Sequence, residues 1–218
     1  MNDKNQNIGF LFDLDGVLID SENQYTNIWA QINFEFPTGI ENFEHKIKGS
    51  TLSKILNENY DSVDIRNAVA DRLHQLENEM HYNYLPYAKE FLTTLNKKNL
   101  PCVLVTSSDN KKMDHLWEEI PELKDFFQFI ITGDYVKTSK PSPEGYLLAA
   151  SKINVNPRKC VVFEDSLQGV LAGKNAEALV VGVAGTLPAE TLAPYSHIII
   201  NNFNEIDIED LILKLTQR

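Results

Sequence analysis

Six short, continuous apolar segments are distributed along the chain, and they constrain its fold more than any other feature of the sequence. Each is bounded by polar or turn-forming residues, and none alternates between apolar and polar side chains. Segments of this kind are typical of strands buried on both faces of a parallel sheet. The predicted strands are residues 8–12, 102–105, 129–131, 160–163, 179–183 and 197–200.

Helical patterns separate most of these segments, at residues 86–98, 111–119, 143–152 and 166–176. This alternation predicts an α/β fold with a Rossmann-like parallel-sheet core. Between the first two strands, apolar residues instead recur at helical spacing with no strand-like segment, so we expect an inserted helical bundle there. The expected division is a core domain of residues 1–18 and 85–218 and a helical cap domain of residues 19–84.

Composition limits the possible partners of the chain. Its 218 residues can enclose a sizeable core, and a net charge of -11 argues against nucleic acid, whose phosphates need a basic surface. No apolar run approaches the roughly 18 residues of a membrane span, and residues 1–7 are polar, which predicts a cytoplasmic protein that does not bind a membrane. Cys102 and Cys160 begin Val-rich segments and are expected to be buried thiols. No pattern demands a protein partner, so we expect a monomer.

Polar side chains follow four of the predicted strands, at the point where each strand ends. In an open parallel sheet, ligands bind at the carboxyl ends of the strands, so these side chains can converge at one edge. They are Asp13 and Asp15 after the first strand, Thr106, Ser107 and Ser108 after the second, Lys140 after the third, and Glu164 and Asp165 after the fourth.

The charges of these groups favour a cation at the same place. Asp13 and Asp15 lie on the same side of an extended chain, which forces two carboxylates together unless a cation or a proton separates them. Oxygen ligands with no nearby His or Cys favour Mg²⁺. With Glu164 and Asp165 ionised as well, four negative charges face the three positive charges of Mg²⁺ and Lys140. One proton balances the remainder, and we place it on Asp15.

Each of these elements also has a purely structural interpretation. The acidic pair could begin a calcium-binding loop, although Val17 occupies a ligand position of that motif, or it could be structural only. The segments 106–109 and 164–166 could simply cap the helices that follow them, and lysines such as Lys140 are usually solvated. Residues 169–175 resemble a Walker loop, but the spacing of the glycines is wrong and we expect an ordinary helix. Convergence at one sheet edge favours a phosphate site.

In these motifs the sequence resembles the haloacid dehalogenase superfamily, and within it the branch of β-phosphoglucomutase-like phosphatases. The resemblance covers essentially the whole chain, with all four motifs in order. They are residues 12–22, Thr106, Lys140-Pro141, and Glu164-Asp165-Ser166. The second aspartate, Asp15, is absent from dehalogenases proper, so the resemblance implies phosphoryl transfer.

The resemblance also implies a role for each residue of the motifs. Asp13 would attack phosphorus to form an aspartyl-phosphate, and Asp15 would protonate the leaving oxygen and later deprotonate water. Thr106 would hold the phosphoryl oxygens, and Lys140 would neutralise developing charge. Mg²⁺ would be held by Asp13, the carbonyl of Asp15, Asp165 and Glu164. The residues expected to bind the substrate are Tyr25, Lys48, Gly49, Ser50, Ser107, Ser108 and Asn110.

Two positions of the cap depart from the mutases of this branch. Leu52 stands where the mutases carry an arginine that grips a second phosphate, and Tyr25 stands where they carry a histidine. We therefore expect a phosphatase acting on a small phosphorylated metabolite, most simply a sugar phosphate. The alternatives are a β-phosphoglucomutase-type mutase and, more remotely, a catalytically silent phosphate-binding or regulatory protein.

Overall fold

The computed structural model describes residues 8–218, so the predicted polar N-terminus, residues 1–7, lies outside the described residues. The described chain forms one sheet of six parallel strands with helices packed on it, which confirms the predicted α/β fold with a parallel-sheet core. The strands are β1 (Gly9–Phe12), β2 (Cys102–Val105), β3 (Phe129–Ile131), β4 (Cys160–Glu164), β5 (Leu179–Val183) and β6 (Ile198–Ile200).

The strand order in the sheet is β3-β2-β1-β4-β5-β6, which places β1 at the centre. The four inner strands are buried along their whole length, as their apolar composition predicts. The expectation of burial on both faces is wrong for β3 and β6, which are the edge strands and are partly exposed. Phe129 of β3, for example, is 40% exposed because no further strand or helix covers it fully.

The helices alternate with the strands after β2, and the four predicted helical stretches form helices whose ends differ from the prediction by at most two residues. Residues 169–175, which resemble a Walker loop, lie within one of these helices, the one that follows β4. The helices are α1 (Glu22–Glu35), α2 (Phe43–Lys46), α3 (Leu52–Asn59), α4 (Val63–Glu77), α5 (Ala88–Lys97), α6 (Asn110–Glu119), α7 (Glu144–Lys152), α8 (Leu167–Asn175), α9 (Ala189–Leu192) and α10 (Ile208–Thr216).

The helices that follow β2 and β4, α6 and α8, each begin with a side-chain cap. The Asp109 carboxylate accepts a hydrogen bond from the backbone N–H of Lys112 (2.9 Å), and Ser166 Oγ accepts one from Gly169 N–H (3.0 Å). Each cap satisfies a donor of the first helical turn that has no partner within the helix. The polar residues after β2 and β4 are therefore held in turns that lead directly into helices.

Helices α1 to α4 lie between β1 and β2 and pack around their own aromatic cluster. The ring of Phe43 lies 5.9 Å from that of Trp29 and 6.5 Å from that of Tyr60, both edge-on. The chain enters and leaves this region side by side: Asp20 N–H donates to Asn83 O, and Leu85 N–H donates to Leu18 O, both at 2.9 Å. We refer to α1 to α4 as the cap; the domain boundaries at 18/19 and 84/85 stay a prediction.

Stacked aromatic rings fill the core beneath the sheet. The rings of Phe12 and Phe163, on neighbouring central strands, are parallel with centroids 4.6 Å apart, and Phe203 packs against both. Cys102 and Cys160 are buried free thiols, as expected. Of the helices in residues 8–218, none has both the length and the apolar character needed to cross a bilayer.

Candidate active site

The carboxyl ends of β1, β2 and β4 meet at the centre of the sheet, where the strand order reverses direction. Such a reversal leaves a crevice that commonly holds ligands in open parallel sheets. Backbone hydrogen bonds continue the sheet into this crevice: Asp13 N–H donates to Phe163 O (3.0 Å), and Thr106 N–H donates to Ile131 O (2.9 Å). The residues that follow the strands are therefore positioned by the sheet itself.

An acidic cluster occupies the crevice. Carboxylate oxygens of Asp13, Glu164 and Asp165 all lie within 4.8 Å of one another, and the three side chains are buried. Lys140 reaches the cluster from the loop before α7, where its Nζ donates to both Asp13 Oδ1 and Glu164 Oε1. The lysine is itself only 7% exposed. The structure thus brings the predicted lysine into direct contact with Asp13 and Glu164 and places Asp165 close to both carboxylates.

Glu164 is bound by the chain at both of its carboxylate oxygens. Oε1 accepts from Lys140 and from the hydroxyl of Tyr146 (2.6 Å), and Oε2 accepts from Ser166 Oγ (3.2 Å). A Cβ at Gly169 would come within 1.9 Å of this carboxyl group, so the residue must be glycine for α8 to pack here. Glu164 is thereby fixed beside Lys140 and keeps no oxygen free of hydrogen bonds.

Asp165 differs, because one of its oxygens is available. Its side chain is 2% exposed, and Oδ2 accepts no hydrogen bond from the described chain. Gly16 permits this arrangement: its φ is +72°, and a Cβ there would lie 2.0 Å from Oδ2. A buried carboxylate oxygen with no partner needs a ligand. Together with Asp13, the donor set consists of hard carboxylate oxygens and fits a divalent cation.

The pKa values of the carboxyl groups in the cluster also indicate that a cation fits there. Burial raises the pKa of Asp13 from 3.8 to about 8, although the neighbouring Lys140 acts in the opposite direction. Burial, together with the charge of Glu22 and of Asp13, also raises the pKa of Asp165 well above its ordinary value. Both carboxyl groups hold protons more tightly than in water unless positive charge is added. A divalent cation would supply that charge.

Asp15 faces the same crevice but has a different environment. Its carboxylate accepts hydrogen bonds from Ser21 Oγ and Ser108 Oγ (3.1 Å) and forms an ion pair with Lys112 Nζ at 2.5 Å. Lys112 is buried on the first turn of α6 and was not among the predicted residues. It supplies a fourth positive charge, which the charge balance drawn from the sequence did not include.

The hydroxyl-bearing loop after β2 forms the side of the crevice between the sheet and the cap. Thr106 Oγ1 accepts a hydrogen bond from Ser108 N–H (3.0 Å), and this bond leaves the threonine's own proton available for donation. Ser107 Oγ donates to the backbone carbonyl of Gly49 in the cap (2.9 Å). The loop therefore joins the two regions directly at the crevice.

The cap closes the crevice into a cavity and contributes most of the predicted substrate-binding residues. Tyr25, Lys48, Gly49, Ser50 and Leu52 line it. The core residues that line it are Asp13, Asp15, Thr106, Ser107, Ser108, Asp109, Lys112, Asp165 and Ser166, whereas Lys140 and Glu164 lie behind them. Asn110, also predicted to bind substrate, does not line this cavity: its side-chain oxygen accepts a hydrogen bond from Thr132 Oγ1 (3.0 Å).

Several residues of the site were missed by the sequence analysis. Lys112 lies one helical turn after Asp109 on α6, and this spacing from the hydroxyl loop is the signal that could have found it. Tyr146 and Glu77 come from α7 and the end of α4, where nothing in the local sequence marks them. The hydroxyl of Tyr25 donates to Glu77 Oε1 (2.6 Å), and Lys48 forms an ion pair with Glu22.

Comparison with known sequences identifies the family. The family model for haloacid dehalogenase-like hydrolases matches residues 10–183, which include every carboxylate, hydroxyl and lysine described above. The chain is a haloacid dehalogenase-like hydrolase. The matched span of this hydrolase contains the acidic cluster, the hydroxyl loop and the buried lysine.

Two sequence relatives and one solved structure are similar to the hydrolase over most of its length. The hydrolase is 34% identical over 191 residues to hexitol phosphatase A of Escherichia coli, covering 84% of this chain and 85% of that one. It is 30% identical over 173 residues to phosphorylated carbohydrates phosphatase of Thermotoga maritima, covering 76% and 80%. The crystal structure of β-phosphoglucomutase from Clostridium difficile is similar with a TM-score of 0.79 and 26% identity, covering 97% and 98%.

Proposed function

We propose that this hydrolase is a Mg²⁺-dependent phosphatase that cleaves a small phosphorylated metabolite through an aspartyl-phosphate intermediate. The observation that carries the proposal is the arrangement of Asp13, Lys140 and Asp165. A buried aspartate paired with a lysine lies beside a second aspartate whose free oxygen needs a cation. Two relatives are named as phosphatases, which supports the same reaction class.

In the first half of the reaction, a carboxylate oxygen of Asp13 attacks the phosphorus of the monoester. The bond from phosphorus to the ester oxygen breaks, and Asp15 gives its proton to the leaving alcohol. Lys140 orients Asp13, since its Nζ donates to Oδ1. The Thr106 hydroxyl and the amide of Ser107 would donate to the phosphoryl oxygens, whereas the Ser108 amide already donates to Thr106 Oγ1.

Mg²⁺ would be held by Asp13, Asp165 and the carbonyl of Asp15, and it would offset the negative charge of the phosphoryl group. Glu164 would support the site without binding Mg²⁺ directly, because other groups of the chain already donate hydrogen bonds to both of its carboxylate oxygens. In the second half of the reaction, water attacks the phosphorus bound to Asp13, and Asp15 accepts its proton. Phosphate leaves, and the Asp13 carboxylate is restored.

The choice of water over a second sugar as acceptor rests on the cap. A mutase must hold a bisphosphorylated intermediate by its distal phosphate, and Leu52, which lines the cavity, offers no charge for that purpose. The proposed substrate is accordingly a phosphorylated metabolite of the sugar-phosphate type, released as the free alcohol. The monomeric state and the cytoplasmic location stay predictions.

Turnover of p-nitrophenyl phosphate, with Mg²⁺ or with excess EDTA, tests this function. We expect activity that EDTA abolishes and that Mg²⁺ restores, with Asp13→Asn inactive and Asp114→Asn, an exposed aspartate on α6, unchanged. Trapping of phosphorus on the protein after a rapid acid quench should depend on Asp13. Isomerisation of β-glucose 1-phosphate faster than its hydrolysis would favour the mutase, and no turnover of any ester would favour the silent binding protein.

A further inference from the structure

The cap wall of the cavity is mostly apolar but contains one deeply buried acid. Trp29, Ile47, Ile55 and Leu73 of the cap line the cavity and are at most 8% exposed. Among them lies Glu77, the last residue of α4, at 4% exposure. A carboxyl group in such a wall requires a specific explanation.

The hydrogen bonds of Glu77 are incomplete. Oε1 accepts from the hydroxyl of Tyr25 at 2.6 Å, whereas Oε2 is buried and has no hydrogen-bond partner in the described chain. Buried polar atoms almost always have a partner, so an unpaired buried oxygen on a residue that lines a ligand cavity indicates a group on the ligand. Burial also raises the pKa of Glu77. A hydroxyl group suits this oxygen well, because a hydroxyl can donate to a carboxylate and accept from a carboxylic acid.

The charges around Glu77 oppose a second anion. Within residues 8–218, both lysines that line the cavity beside the cap already have partners, since Lys48 pairs with Glu22 and Lys112 pairs with Asp15. A phosphate or carboxylate at the far end of the substrate would therefore meet Glu77 without a free cation to neutralise it. Desolvating such an anion is costly when no cation or donor compensates it.

We infer that Glu77 is a specificity-determining residue: its Oε2 binds a hydroxyl of the leaving group and excludes substrates that carry a second anionic group. This inference rests on the proposed phosphatase function and deepens it. The carbon skeleton of the leaving group would pack against the apolar cap residues, and Tyr25 would hold the Glu77 carboxyl group in position. The chain thus selects polyol or sugar monophosphates over bisphosphates and phosphorylated acids.

Matched phosphate esters test the two parts of this inference separately, namely the binding of a hydroxyl and the exclusion of a second anionic group. Sorbitol 6-phosphate and 6-phosphogluconate differ at the distal carbon, which carries a hydroxyl in one and a carboxylate in the other. Hexyl phosphate has the same chain length without hydroxyls. We expect the wild-type kcat/KM for sorbitol 6-phosphate to exceed that for each of the other two at least tenfold. Glycerol 3-phosphate, 3-phosphoglycerate and propyl phosphate repeat the comparison at three carbons.

Two variants of Glu77 address the charge and the hydrogen bond separately. Glu77→Gln removes the negative charge, and the preference for sorbitol 6-phosphate over 6-phosphogluconate should fall at least fivefold. Glu77→Leu removes the hydrogen bond, and the preference over hexyl phosphate should fall at least fivefold. Glu79→Gln changes an exposed acid two residues away and should leave both ratios unchanged. Ratios are used because a loss of fold would lower all rates together.

The outcomes distinguish this inference from the proposed function. If no ester is hydrolysed, including p-nitrophenyl phosphate with Mg²⁺, both the function and the inference are wrong. If p-nitrophenyl phosphate is hydrolysed but the wild type prefers 6-phosphogluconate, or if the folded Glu77 variants keep the wild-type ratios, only the role of Glu77 is overturned. A preference for ethanolamine phosphate over sorbitol 6-phosphate would show that Glu77 binds a cation and would also overturn the inference.

Discussion

The cavity has a core wall and a cap wall, and the two differ in the kind of side chain that forms them. The core wall consists of charged side chains with charged partners: Asp15 pairs with Lys112 in the wall, and Asp13 pairs with Lys140, which lies behind the wall. The cap wall is formed largely by apolar side chains and has one deeply buried carboxyl group, that of Glu77, while its other charged residues, Glu22, Glu44 and Lys48, are partly exposed. The first arrangement suits a reaction common to every phosphate monoester, and the second can distinguish one leaving group from another. Changes to the core wall should therefore affect all substrates alike, whereas changes to the cap wall should alter their ranking.

The largest effect is expected from Asp13→Asn on the core wall. The amide is a poor nucleophile, so kcat should fall at least about 1,000-fold, equivalent to about 4 kcal/mol in the barrier. The fall should be the same for p-nitrophenyl phosphate and for sorbitol 6-phosphate, measured by phosphate release. Retention of more than about a tenth of wild-type kcat would exclude Asp13 as the nucleophile.

A smaller effect, on stability, is expected from Lys140→Met. The variant removes the cation between two buried carboxylates, and breaking a buried pair in this way costs about 3 kcal/mol. Urea unfolding without Mg²⁺ should report this loss, and Mg²⁺ should recover part of it. Lys137→Met, at an exposed position on the same loop, serves as the control. Equal unfolding free energies for the two variants would contradict the described role of Lys140.

Stabilisation by Mg²⁺ should increase with pH. The folded-state pKa of Asp13, about 8, is above its ordinary value of 3.8, so the folded protein binds more protons than the unfolded chain between these values. Metal-free protein should therefore lose stability from this group as the pH rises through that interval. Deprotonated Asp13 can instead bind Mg²⁺, which at 100 times its Kd adds about 2.7 kcal/mol. The difference between melting curves with and without Mg²⁺ should be larger at pH 8 than at pH 5, and an equal or smaller difference at pH 8 would count against metal binding by Asp13.

The smallest effect is expected from Leu52→Arg on the cap wall. The added guanidinium should improve kcat/KM for fructose 1,6-bisphosphate relative to fructose 6-phosphate by about tenfold, or about 1.4 kcal/mol, within the range of a charged hydrogen bond. Leu147→Arg, on the exposed face of α7, should leave the ratio unchanged. If Leu52→Arg instead lowers the rates for both esters equally, the distinction between the two walls is wrong at this position.

The core wall could be predicted because its residues follow directly after strands. The positions of Asp13, Thr106 and Asp165 are set by the strand that precedes each of them, and a parallel sheet brings such ends together. Lys140 was also predicted, although its loop approaches from α7, because it follows the third strand. The sequence could not indicate that β3 and β6 are edge strands, since their short apolar segments resemble those of the inner strands.

The cap wall could be predicted only in part, because its residues come from separate helices that meet through packing. Tyr25 and Glu77 are 52 positions apart and are joined by one hydrogen bond, which no local pattern records. Lys112 was missed for a similar reason, as its charge is directed to Asp15 only by the turn of α6. Asn110 was predicted at the site, but the structure directs its side chain to Thr132 instead.

The backbone segments where the cap leaves and rejoins the core are paired with each other. This pairing determines which changes in the cap the rest of the fold can accept. Residues 18–20 and 83–85 are hydrogen-bonded to each other, so the insertion begins and ends at nearly the same point in space. A module attached in this way can change its length or its helices without changing the register of β1 against β2 and β4. New substrate preferences can therefore arise by exchanging this one insert while the residues at the carboxyl ends of the strands stay unaltered.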